Sequence, residues 1–103
     1  MQYFATHTCT GQDFKAVAED WRMSPLLADN HADVAPAYIA TCEFDLIRDE
    51  GNVYADKLKA AGVAVEYKVW AGQPHLLFQL SSVLDDGKAL IAESVDAIRK
   101  ALA

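Results

Sequence analysis

The sequence predicts an α/β fold, a strand–helix–strand–helix unit with two parallel strands over residues 37–103, behind an irregular and partly helical lead-in at 1–36. Three observations lead to this. Ala37–Phe44 (AYIATCEF) is a compact run of β-formers and small apolar residues without strict polar alternation, the pattern of a strand covered on both faces. Residues 63–71 (VAVEYKVWA) form a second run, with Val63, Val65, Tyr67 and Val69 alternating with Ala64, Glu66, Lys68 and Trp70. A helical pattern lies between them, and a strand–helix–strand unit with this spacing implies parallel strands joined by a crossover.

Each element has a local reason. Residues 1–9 are expected to form a short turn of helix. Phe14, Val17, Ala18 and Trp21 then fall at helical spacing. Pro25 breaks that pattern, and residues 24–36, with Pro, Asp, Asn and His between short apolar runs, read as an irregular connection. Asp45 closes the first strand. A helix is expected over 48–61, with Asp49 and Glu50 in the first turn, where acidic side chains suit the helix dipole, and with Tyr54, Leu58 and Ala61 on one face. Gly62 supplies the left-handed stop. The polar face of the second strand suits a sheet edge. Residues 72–74 form a loop leading to His75. Ser82 and Asp85 match a capping box, and the last helix carries Leu84, Ile91, Val95, Ile98 and Leu102 as an apolar stripe.

Composition excludes several classes. With 103 residues, 52 % hydrophobic and 23 % charged, the chain is one small globular unit rather than a disordered acidic tail. No apolar run approaches the ~20 residues of a membrane span. A net charge of −6 disfavours nucleic acid as a partner, because that binding needs a basic face. Cys9 and Cys42 lack C-x-x-C spacing, and Cys42 in its apolar run reads as an inert buried thiol. No basic stretch followed by an apolar core opens the chain, so the expected location is cytoplasmic. His7, His31 and His75 are scattered, with no metal-binding pair on a helix, so neither a metal nor another cofactor is expected. Trp21, Tyr67 and Trp70 suit a core or an interface.

Asp45 and His75 are the candidate chemical residues. Each follows the end of a strand, and ligands of open α/β sheets gather outside the carboxyl ends of the strands. If the strands are parallel neighbours, both side chains emerge at one edge. An acid followed by a base in chain order is the later part of a Ser–acid–His relay.

Longer strings carry a resemblance. Ser24-Pro25-Leu26-Leu27-Ala28, then Ala35-Pro36-Ala37, then Thr41-Cys42-Glu43-Phe44-Asp45-Leu46-Ile47-Arg48-Asp49-Glu50-Gly51, then Gly72-Gln73-Pro74-His75 and Phe78, resemble the C-terminal third of the hormone-sensitive-lipase-like branch of α/β-hydrolase carboxylesterases. The residues at 1–4 also resemble the segment just before it. The resemblance implies that Asp45 matches the triad acid and His75 the triad base, with Asp49 and Glu50 serving as helix N-terminal charge. It also implies that the two strands are part of a larger sheet. Leu76 stands where the family usually has Gly, so the loop holding His75 is expected to be displaced.

The family's G-x-S-x-G elbow and its HGGG-type segment do not occur here. Ser24, Ser81, Ser82 and Ser94 are not flanked by glycines in that pattern, and Ser81 or Ser82 reads as a helix cap. The chain is therefore expected to be inactive alone. It would act as an oligomeric interaction module, pairing with copies of itself through exposed strand edges. The alternative is the C-terminal half of a split carboxylic-ester hydrolase completed by a chain carrying the nucleophile.

Overall fold

The computed structural model describes residues 13–103, so the turn expected at 1–9, Cys9 and His7 lie outside the described residues. The chain divides into two compact units, one ending at Asn30 and the other running from His31 to Ala103.

In the first unit, helix α1 (Phe14–Ala18) is capped by Asp13, whose carboxylate accepts from the Lys15 amide at 3.0 Å. It is shorter than the apolar spacing predicts. The Asp20 carboxylate accepts from the Arg22 amide at 2.9 Å and from the Arg22 guanidinium at 3.0 and 2.6 Å. That local turn competes with helix continuation and leaves Trp21 59 % exposed beyond the end. A 3₁₀ turn, Pro25–Leu27, falls in the stretch expected to be irregular.

The second unit is the strand–helix–strand–helix arrangement: β1 (Ala37–Phe44), α2 (Arg48–Ala60), β2 (Val65–Pro74), a 3₁₀ turn (His75–Leu80) and α3 (Asp85–Leu102). β1 and β2 pair in parallel, from Ala37 opposite Val65 to Cys42 opposite Trp70. One sheet face meets α3: Tyr38, Cys42 and Trp70 pack with Leu77, Leu84, Ala89 and Leu90. Above them Glu93 of α3 accepts from Lys68 at 2.6 Å and from the Tyr38 hydroxyl at 3.0 Å, while the Lys68 ammonium lies 3.9 Å from the Trp70 ring centre. The other face meets α2, where a Cβ on Gly51 would come within 2.7 Å of Thr41 Cγ2. On that same face Thr41 and Tyr67 share a 2.9 Å hydroxyl hydrogen bond.

Five sequence expectations shift. The second strand begins at Val65 rather than 63, because Val63 closes the helix before it. Its amide donates to Leu58 O at 3.0 Å and the Gly62 amide to Lys59 O at 3.0 Å, a Schellman closure with Gly62 at φ +84°. The face of β2 carrying Lys68 and Trp70, read as the polar edge face, is covered by α3 through the Glu93 ion pair and the Trp70 packing. β1 is only half-covered, with Cys42 as its one buried residue. The capping box does not form: Leu84 occupies the cap position and makes no side-chain bond. The start of α3 instead lies tight against the preceding turn, where a Cβ on Gly87 would come within 2.7 Å of Ser81 Cα and 2.8 Å of Leu77 O. The apolar stripe of α3 is buried only near its start. Beyond the short sheet, Val95, Ile98 and Leu102 are 47, 60 and 82 % exposed. Among the described residues no helix is long and apolar enough to cross a membrane.

Candidate active site

The site depends on an irregularity at the carboxyl end of the sheet. After Cys42 and Trp70 the next paired residues are Phe44 and Pro74, so three residues of β2 stand opposite one of β1. The extra chain of this bulge is taken up at Gly72, whose φ of +70° suits a residue without Cβ. Because Phe44 faces Pro74, the residues that follow, Asp45 and His75, leave the sheet side by side.

The structure brings these two together. Asp45 Oδ2 lies 2.5 Å from His75 Nδ1, and Asp45 Oδ1 accepts from the Ile47 amide at 3.0 Å. The Asp45 side chain is only 11 % exposed, whereas that of His75 is 62 % exposed. Burial pushes the Asp45 carboxyl up, but the Ile47 amide and the His75 ring outweigh it and hold the group below its ordinary value. With Asp45 ionised, Nδ1 carries the ring proton and donates it to the carboxylate. In the neutral ring this leaves the Nε2 lone pair as the acceptor, the tautomer a general base requires.

Leu76 does not displace His75. Both belong to the 3₁₀ turn His75–Leu80, and Asp33 is the one non-glycine residue at positive φ among the described residues. This turn puts no glycine-type demand on position 76. It is anchored instead by Leu77, which is fully buried, and it turns Leu76 outward at 53 % exposure.

Two further side chains hold the bulge. Glu43 Oε2 accepts from the Gly72 amide at 2.5 Å, and Gln73 Nε2 donates to Asp86 Oδ2 at 2.8 Å in the first turn of α3. Residues 72–74 read from sequence as a loop, and neither contact was expected. A glycine inside a β-pattern was the available signal, since it marks a bulge or a close backbone approach. Arg48 donates to the Glu43 carbonyl at 3.0 Å and pairs with Asp49 at 3.1 Å, so Asp49 lies in the first turn of α2 with Glu50, as helix-end charge.

Two of the serines are engaged with backbone carbonyls. Ser94 Oγ donates to Leu90 O at 2.7 Å within α3, and Ser24 Oγ donates to Ala18 O at 2.7 Å. Among the described residues no group of three or more His, Cys, Asp or Glu could hold a metal ion. Cys42 is buried, and burial followed by the nearby Asp45 charge pushes its thiol pKa up, which disfavours the reactive thiolate.

Residues 1–79 match the family model of the alpha/beta hydrolase fold, which is most of the chain. The chain belongs to this family. It is 38 % identical over 93 residues to a carboxylic ester hydrolase, LipN, of Mycobacterium tuberculosis, covering 90 % of this chain and 25 % of that protein. It is 34 % identical over 83 residues to the ethyl acetate hydrolase of Pseudomonas putida, covering 81 % of this chain and 26 % of that one. Among solved structures, EstE1, a thermophilic carboxylesterase cloned from a metagenomic library, superposes with a TM-score of 0.81 at 29 % identity, over 99 % of this chain and 39 % of the other. The hydrolase-fold chain thus spans about a quarter of the length of these curated relatives. Its two parallel strands and flanking helices correspond to part of the sheet of a hormone-sensitive-lipase-like carboxylesterase.

Proposed function

We propose that this chain supplies the acid and base of a carboxylic-ester hydrolase. Asp45 fixes the tautomer of His75, and His75 Nε2 takes the proton from a nucleophilic hydroxyl and returns it to the leaving alcohol. The observation that carries this reading is the 2.5 Å contact between Asp45 and an exposed His75 at the carboxyl edge of a parallel sheet. The 103 residues contain no G-x-S-x-G or HGGG string, so the acyl-enzyme and the support of its oxyanion must come from polypeptide other than these residues. Loss of a single oxyanion donor typically costs about 100- to 1,000-fold in rate, so the chain alone is expected to be close to inactive. The test is hydrolysis of p-nitrophenyl acetate by the chain alone and co-expressed with a polypeptide carrying the serine elbow. Turnover should appear in the mixture and vanish with His75→Ala. A mixture that stays at background sinks the proposal.

A second reading, an oligomeric interaction module, is supported by the apolar surface around the two-stranded sheet. Phe44 is 69 % exposed, Leu46 92 % and Val69 43 %, and both strand edges are without a neighbouring strand among the described residues. An isolated pair of strands is marginal in water, and open edges are templates for pairing. The partner proposed here is another copy of the chain, in a cytoplasmic setting that suits the reduced Cys42 thiol. Light scattering at a stated concentration near ~100 µM decides it, because such assembly is concentration-dependent. A monomeric mass counts against it.

A further inference from the structure

The contact between Asp45 and His75 requires their strands to end level, and the regular ladder would not produce that. Through Cys42 and Trp70 the partners differ by 28 positions; at Phe44 and Pro74 they differ by 30. Had β2 continued in the first register, Phe44 would face Gly72. His75 would then lie two residues further along, about 6–7 Å at ~3.3 Å per residue, beyond the Asp45 carboxylate. The bulge removes that offset. It is also the part of the strand pair where the regular ladder is interrupted, with Gly72 at a left-handed φ and its amide bonded to a side chain.

Glu43 is the single β1 residue opposite the bulge, and its carboxylate accepts from the Gly72 amide at 2.5 Å. We infer that Glu43 is a positioning residue for His75, holding Gly72 in the bulge and thereby setting His75 level with Asp45. A charged acceptor makes this a strong bond, and the donor it satisfies lies in the segment whose register fixes where β2 ends. Arg48 braces the clamp by donating to the Glu43 carbonyl at 3.0 Å, and Gln73, bonded to Asp86, ties the neighbouring residue of the bulge to α3. Glu43 acts through the backbone of β2, by its bond to the Gly72 amide.

The value of this placement for ester hydrolysis rests on the acid–base reading above, but the placement itself is measurable without turnover. Long-range ¹H–¹⁵N correlation spectra of the labelled chain report which ring nitrogen of His75 carries the proton. The wild-type ring should be mainly in the Nδ1–H form. Glu43→Gln should keep it, since the amide oxygen can still accept from Gly72. Glu43→Ala should lower the ratio of the Nδ1–H to the Nε2–H form about tenfold, the effect of losing one strong hydrogen bond to the ring. Glu43→Asp, one methylene too short to reach the amide, should do the same. Glu43 is exposed, so the aspartate variant is expected to fold and decides the matter should Glu43→Ala not fold. Glu66→Gln, on the exposed start of β2, should leave the ratio unchanged. A folded Glu43→Asp chain with the wild-type ratio overturns the inference. Failure of complementation with the tautomer still dependent on Glu43 overturns only the catalytic reading.

Discussion

Leu76 and Leu77 are neighbours in the turn that carries His75, and the structure assigns them opposite roles. Leu77 is 0 % exposed and packs with Cys42, Trp70 and Leu90, whereas Leu76 is 53 % exposed. Truncating Leu77 to Ala removes roughly three CH₂ equivalents from a fully buried site, or about 2.4 kcal/mol of transfer free energy at ~0.8 kcal/mol each. The space left between sheet and α3 raises the expected loss to about 3–4 kcal/mol. The same truncation at Leu76 forfeits only about half the transfer term and opens no cavity, so about 1 kcal/mol or less is expected. Small domains have only about 5–15 kcal/mol in all, so Leu77→Ala should bring the chain near its unfolding threshold at room temperature. Urea denaturation followed by far-ultraviolet circular dichroism measures both variants, with the slopes compared to show that the unfolded reference has not changed. Equal losses at the two positions, or a loss under about 1 kcal/mol at Leu77, would refute the packing assignment of this turn.

Two other outcomes are open to direct measurement. The Asp45 carboxyl is held below its ordinary value when folded, so the stability it contributes is present above the unfolded carboxylate pKa and lost as pH falls through the folded value. Thermal midpoints should therefore drop below about pH 4, and less steeply for Asp45→Asn; identical acid limbs would contradict the pairing. At Gly62, φ is +84° and no atom lies within 4 Å of an added Cβ, so Gly62→Ala should cost about 1–2 kcal/mol through backbone strain alone. A neutral substitution in urea unfolding would show that the helix closes differently.

Much of this protein was legible before any coordinates. The alternation-free run Ala37–Phe44 coincides with β1, because its β-forming residues mark a strand over a short window, although only Cys42 of it is buried. The helix expected at 48–61 was marked at both ends, by Asp49 and Glu50 in its first turn and by Gly62 at its stop, and these signals are local. Where expectation and structure part, the decision lies with a specific side-chain or backbone contact that periodicity does not register. Asp20 shortens α1 by binding Arg22, a competition that the Trp21 periodicity does not register. Ser82 does not cap α3, because the helix start is pressed onto the preceding turn at Gly87 and Asp86 is bonded to Gln73 of β2.

The candidate site divides in the same way. Residue types and order determined by themselves that an acid follows the first strand and a histidine the second, and that no serine elbow accompanies them within 103 residues. The expectation that Leu76 would push His75 away rested on the backbone freedom of glycine. The 3₁₀ turn makes no use of that freedom. Only the tertiary structure decided that Asp45 and His75 end level, because the decision lies in the pairing register. Register depends on a two-residue excess in β2, on a left-handed Gly72 and on the carboxylate of Glu43, 29 residues away in sequence. Periodicity read along one strand carries no information about how far its neighbour has advanced.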